Sequence, residues 1–170
     1  MDRLDQLLGV IALGVLDRLR AAVSDESGVS EAEAGALVHI QAWPGGSVGE
    51  LAGVVGRSQP AAVRLVDRLV ERGLVRREPG ADRRTAALVL TKAGSRVGEE
   101  ILAARARTLA TLLGDLSDAE RRTLERLLNR VAAGLATNRT GAIRVCRLCN
   151  RDACSSGAAC PLQHTTGSLR

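Results

Sequence analysis

All four cysteines of this 170-residue chain lie between positions 146 and 160, in the stretch VCRLCNRDACSSGAACPLQH. Two residues separate Cys146 from Cys149, four separate Cys149 from Cys154, and five separate Cys154 from Cys160. Core cysteines scatter through a domain, so a cluster of this kind points to metal binding, redox sensing or covalent stapling. A Cys-x-x-Cys knuckle lets two sulfurs face one ion, and Cys154 and Cys160 complete a tetrahedral four-thiolate set for Zn2+. Four thiolates also suit an iron–sulfur cluster. The remaining alternative is metal-free thiols that pair on oxidation. Arg144, Arg147 and Arg151 surround the cluster and would offset the negative charge of a tetrathiolate centre and depress the thiol pKa. His164 reads as an ordinary tail residue, since four sulfurs are already available, and His39, near Trp43, reads as a packing residue.

The second group of chemically capable residues is basic. Of 24 Lys and Arg, Lys92 is the single lysine, and arginine's planar fork of donors fits phosphate and guanine edges. The excess positive charge sits in two blocks, residues 57–84 and 139–170, each with a net charge of +4, within a chain of +5 overall. Two separated basic blocks point to an anionic partner. In the first block, Ser58, Gln59 and Ala61 open a helix on which Arg64 and Arg68 stand one turn apart. Gln pairs with adenine, Ala allows close approach and reaches a thymine methyl, and Arg takes guanine or phosphate. Beyond this helix lie Arg76 and Arg77, then Arg83 and Arg84 beside Asp82. Arginines on a thin hairpin can enter a minor groove, and Asp82 would orient a neighbouring Arg.

The elements that position these residues follow from periodicity and caps. Leu4, Leu7, Leu8, Ile11, Val15, Leu16 and Leu19 recur at helical spacing, which predicts a first helix ending near Val23. Ser30 with Glu33 forms a capping-box pattern that opens a second helix, stopped by Pro44-Gly45-Gly46. Ser47 begins a short third helix. Ser58 caps a fourth, SQPAAVRLVDRLVERG, with Val63, Leu65, Val66, Leu69 and Val70 as its apolar face and Gly73 beyond its end. LVRRE and TAALVLT then read as two strands around Pro79-Gly80-Ala81-Asp82 turn chemistry. Two long helices follow, the second capped by Ser117. After Thr137 periodicity disappears, and the tail reads as irregular. The fold class is mainly α with a small β-hairpin wing, a winged helix-turn-helix plus a helical dimerisation region. The division is residues 1–28 and 92–138 for dimerisation, 29–91 for DNA binding, and 139–170 for a cysteine-rich tail carrying the metal knuckle.

At residues 47–94, SVGELAGVVGRSQPAAVRLVDRLVERGLVRREPGADRRTAALVLTKAG resembles the MarR family of winged-helix transcription regulators, most specifically in AAVRLVDRLVERGLVRR, the wing motif Asp82-Arg83-Arg84 and the following LTKAG. With flanking helices the resemblance spans roughly residues 1–137. It implies a homodimer that represses, or less often activates, nearby genes. It also implies DNA contacts at Gln59, Arg64, Arg68, Arg83 and Arg84, and a small-molecule or oxidant effector acting between the dimer helices and the reading head. With one Trp and no Phe or Tyr, a pocket that stacks phenolic effectors is poorly supplied, and the cysteine tail is an addition to the family pattern. The dimer has independent support, because strongly apolar terminal helices with few large side chains need a shared core. A two-fold dimer would place its reading helices about one DNA turn apart.

Other classes fare worse. Asp2 and Asp5 sit where a signal peptide needs positive charge, and the apolar run LLGVIALGVL is too short to span a bilayer. A cytoplasmic, non-membrane protein with reduced thiols is expected. No catalytic arrangement is visible, and with two His a hidden one is not expected, so the chain reads as no enzyme. The rival reading is a protein-interaction or metal-handling module whose winged helix is a docking surface, with no specific DNA binding.

Overall fold

The computed structural model describes residues 2–80, 86–156 and 158–166. In chain order its elements are α1 (Arg3–Ser27), α2 (Glu31–Ala42), α3 (Val48–Val55), α4 (Gln59–Glu71), β1 (Val75–Pro79), β2 (Ala86–Leu90), α5 (Lys92–Leu112), α6 (Asp118–Ala133), α7 (Arg139–Val145), α8 (Arg151–Ser155) and α9 (Gln163–Thr166). The fold is mainly helical with a two-stranded antiparallel wing, as the sequence predicts.

Local chemistry sets the boundaries. Reciprocal capping boxes open α1 (Asp2 with Asp5), α2 (Ser30 with Glu33), α3 (Ser47 with Glu50) and α6 (Ser117 with Glu120), each satisfying otherwise unpaired N–H groups. α1 runs past Val23 to Ser27, where Gly28 takes a left-handed cap at φ 62°. Its final turn survives because Val23 and Val29 bury against the head. β1 and β2 pair from Val75 with Leu90 to Pro79 with Ala86. Pro44-Gly45-Gly46 does more than end α2. Gly45 N donates to Leu88 O (2.9 Å) and Leu88 N to Gly46 O (3.0 Å), so this segment extends the wing sheet, using Gly45 at φ 92°.

The largest fully buried side chains are Leu37, Leu51, Leu69, Leu88, Ile101, Val66 and Val75, from α2, α3, α4, both strands and α5. Burying each of these contributes roughly 1.5–3 kcal/mol. With no aromatic ring in this core, the elements must approach closely. A Cβ at Gly94 would lie 1.9 Å from Leu74 O, and one at Gly98 2.2 Å from Gln41 Oε1. Thr91 fixes the same junction: its hydroxyl donates to Gly73 O (2.6 Å) and accepts from Gly94 N (3.1 Å). The outer helices are different. α6 has no buried residue, and Leu4, Leu8, Ile11, Leu127, Leu128, Val131 and Leu135 are exposed.

Two expectations need correction. The tail is not irregular: α7 packs on α3, and Ala136, Ala142 and Leu162 form a second small core with Cys146 and Cys160 against it. Helical periodicity was too short to read there because α7 has seven residues. Val63 does not join the core face of α4. It is 39% exposed, while Ala62, Leu65, Val66 and Leu69 supply the buried stripe.

Glu33 is the one buried charged residue among those described, 7% exposed. It accepts from Ser30 N (2.9 Å) and Ser30 Oγ (2.8 Å), and faces Arg68 Nε (3.7 Å) and Arg72 Nη1 (3.8 Å). Burial pushes its pKa up, but the Ser30 hydrogen bonds and the two guanidiniums outweigh burial and hold it below the usual value. A depressed folded pKa adds stability above the unfolded pKa, and that stability is lost as pH falls through the folded value. Glu33→Gln is therefore expected to cost about 1–3 kcal/mol at neutral pH, with the deficit shrinking in acid. Denaturant titrations across pH check this, and a pH-independent deficit would contradict it.

Candidate nucleic-acid interface and thiol cluster

The tight turn Gly56-Arg57-Ser58 ends α3 and starts α4. Gly56 is left-handed at φ 62°, which lets α4 leave at a sharp angle. Ser58 occupies the N-cap, but its side chain makes no capping hydrogen bond, so the hydroxyl is not committed to the helix. Pro60 stands in the first turn. Ser58, Gln59, Val63 and Arg64 are exposed, and Ala61 is half-buried. Arg64 makes no ion pair among the described residues, and the helical pairing of Arg64 with Asp67 does not form. Asp67 instead binds Arg77 of β1 at 2.6 Å, which ties the wing to α4. Arg68 does not pair with Glu71 either; it leans toward Glu33 on α2 while staying 54% exposed. The outward surface of α4 is therefore Ser58, Gln59, Val63 and Arg64, with Arg68 at its edge. Val63 belongs to this exposed surface, where sequence reasoning had placed it on the core face.

On the wing, Arg76 is exposed and ion-paired with Glu78 on the same strand face. Asp82, Arg83 and Arg84 lie outside the described residues.

The four cysteines come together in the fold. None is in a disulfide, and all are partly buried. Cys154 shares hydrogen bonds with Cys149 and with Cys160, and Cys146 feels the charge of Cys160 and Cys154. Burial, then the neighbouring sulfurs, push the Cys146 thiol up to about 11. Burial, then Cys149 and Cys160, push Cys154 up to about 12. Burial also raises Cys149. Arg105 of α5 pulls Cys146 and Cys149 the other way. Without a cation Cys146, Cys149 and Cys154 thus hold their protons and are poor nucleophiles at neutral pH, the reverse of the depression expected from the flanking arginines, because burial and the neighbouring sulfurs outweigh the cationic groups. Among the described residues, no group of three or more His, Cys, Asp or Glu is arranged to hold a metal as it stands.

The tail that carries the thiols is seated on the head. Arg147 Nη2 donates to Glu31 Oε1 at 2.6 Å, and Arg20 Nε donates to Glu31 Oε2 at 2.6 Å. Glu31 is held below its usual pKa: burial raises it, and the two arginines more than compensate. Arg151 stacks over Trp43, 5.5 Å from the ring centroid. His39 and Trp43 lie 4.9 Å apart, and His39 Nδ1 and Trp43 Nε1 are buried without a hydrogen-bond partner among the described residues. Burial, opposed by Glu50, keeps His39 below its ordinary pKa. His39 therefore packs against Trp43, as expected, but with an unmet polar atom. The two rings line a cleft of about 480 Å³ with Glu50, Arg139 and Thr140. A second crevice of about 770 Å³ separates α2 from α5, where Cys149 and Asn150 form one wall. Among the described residues no helix is long and apolar enough to cross a membrane.

Comparison with known proteins agrees with this geometry. The MarR family model matches residues 27–85. A MarR family protein from Bacillus stearothermophilus is 30% identical, with the match covering 75% of this chain and 89% of that one at a TM-score of 0.67. Wild-type MarR from E. coli is 26% identical over 77% of this chain and 98% of its own, with a TM-score of 0.64. MepR, a transcription regulator of a Staphylococcus aureus multidrug efflux pump, is 19% identical over 78% of this chain and 98% of its own at 0.68, a likeness of fold alone. No curated protein sequence matches the chain. With a winged head, an exposed reading helix and these relatives, the chain belongs to the MarR family, whose members are DNA-binding transcription regulators.

Proposed function

We propose that the protein works as a homodimer that binds a near-palindromic DNA site and regulates transcription, with repression by occlusion as its direct mode. The observation that carries this reading is the outward surface of α4. Ser58, Gln59, Val63 and Arg64 project together, and Arg64 has no carboxylate partner among the described residues. A structural arginine would be paired; one that is exposed and unpaired at a reading helix suits guanine or phosphate. Gln59 suits adenine. The apolar faces of α1 and α6 support a dimer, since exposed leucines spaced along two helices call for a matching copy.

The thiol cluster is read as a Zn2+ site held by Cys146, Cys149, Cys154 and Cys160. Four soft donors gathered at one end of the tail suit that ion. As the thiols stand they repel each other's ionisation, and a divalent cation would supply the missing positive charge. Arg105 would add to it. Binding requires the side chains to turn inward and release protons. Such a site would brace the end of α7, which Cys146 caps through its N–H to Ala142 O (2.9 Å). Because α7 packs on α3, metal loading or thiol oxidation in the tail would bear on the DNA-binding head.

Arg64→Ala is expected to weaken binding to a selected DNA duplex by about 1–3 kcal/mol while leaving a scrambled duplex little affected. Fluorescence anisotropy checks it, and equal losses on both duplexes would make Arg64 a phosphate contact without base readout. Elemental analysis of protein purified without oxygen is expected to give about one zinc per chain and no visible absorption. Iron with sulfide, or four titratable thiols without metal, would contradict the zinc assignment.

A further inference from the structure

The tail does not only lie on the head; it brings charge to the turn of the helix-turn-helix. Arg144 on α7 lays its guanidinium flat over Gly56. A Cβ at Gly56 would lie 2.8 Å from both Arg144 Cζ and Arg144 Nε. Gly56 is two positions from Ser58, the N-cap of the reading helix. The adjacent Arg57 is exposed, as is Arg144. Together with Arg20, Glu31 and Arg147 they line an open cleft of about 340 Å³. Glu31 is already shared by Arg20 and Arg147. Arg57 and Arg144 make no ion pair among the described residues, so the cleft keeps a surplus of positive charge at the turn.

The tail meets the head at two more places, one on α7 and one just after it. Thr140 Cγ2 would lie 3.4 Å from a Cβ at Gly53, and Arg147 Cδ 3.4 Å from a Cβ at Gly35. These contacts seat the tail against α3 and α2, with Arg144 set on the turn.

We propose that Arg57 and Arg144 form an accessory phosphate-binding pair, half of it supplied by the tail, which grips the DNA backbone beside the N-terminus of α4. This rests on the DNA-binding reading above and adds a partner surface to it. An arginine pair without carboxylates, beside a helix start that enters a major groove, matches a backbone phosphate in charge and in donor geometry. Phosphate contacts position a protein without reading sequence, so the pair would contribute affinity and salt dependence but little discrimination.

The test is anisotropy across a salt series with the full-length protein, on a duplex the wild type selects from a random pool and on a scrambled duplex of equal length. Arg57→Ala and Arg144→Ala are each expected to lower the slope of log affinity against log salt by about 0.9, and the double variant by about twice that. Between roughly 50 and 200 mM salt, each single variant would then lose about three- to fourfold less affinity than the wild type. The ratio between the two duplexes should not change. Arg144→Lys keeps the charge and is expected to keep the slope. Wild-type slopes in both alanine variants would overturn the pair, as would equal losses in Arg144→Ala and Arg144→Lys, which would assign Arg144 to turn packing. If Arg144→Ala fails to fold by circular dichroism, Arg57→Ala and Arg144→Lys decide. A wild type that binds neither duplex would instead remove the DNA reading and this pair with it.

Discussion

A reading helix must be held by one face only, because its other face has to stay bare for DNA. That constraint governs the head. α4 is anchored by a narrow stripe, Ala62, Leu65, Val66 and Leu69, all 2% exposed or less. Polar ties then reach it from both sides. Glu33 on α2 sits against Arg68 and Arg72, and Arg77 on β1 takes Asp67. These ties engage Glu33 and Asp67 at the sides of α4, and Arg64 has no ion pair among the described residues. The same ion pairs that steady the helix thus also decide which arginine stays available.

The absence of aromatic rings from the core has a second consequence. Leucine, valine and alanine fill space only when backbones come close, and glycine marks the points of closest approach. Gly94 seats α5 on the entry to β1, and Gly98 seats it beside Gln41. Gly56 does the same for the tail beneath Arg144, while Gly35 and Gly53 meet Arg147 and Thr140 at ordinary contact distance. The tail also joins the head through Ile143 and Leu148, which pack against the main core. The thiols sit directly after α7, so whatever state they adopt acts on a helix already touching α3 and the turn.

Much of this was legible in the sequence because it is local. Serine caps with a glutamate three residues on, glycine at helix ends and the change from helical to alternating period all act within a few residues. The structure places helix starts and the hairpin where those signals put them. What escaped was non-local. Nothing near Asp67 says that it will meet Arg77 across the wing rather than Arg64 one turn away. α7 has one well-buried residue, Ala142, too few to give a periodic signal, and its partners lie far upstream, with Thr140 on Gly53, Arg144 on Gly56 and Ile143 on the main core. Val63 was counted inward because it is apolar, although the stripe set by Ala62, Leu65, Val66 and Leu69 leaves it outside. The cysteine spacing correctly flagged a cluster. It did not reveal that Arg105 of α5 would bear on Cys146 and Cys149, or that Cys146 and Cys160 would pack on a small core of their own.

The central claim is that two copies of this chain place two α4 helices in successive major grooves. Hydroxyl-radical footprinting of the wild-type protein on a duplex it selects tests that claim most directly. The account predicts two protected segments related by two-fold symmetry, with centres about one helical turn, roughly 34 Å, apart. A single protected segment would contradict the dimer, and no protection at low salt would contradict DNA binding itself.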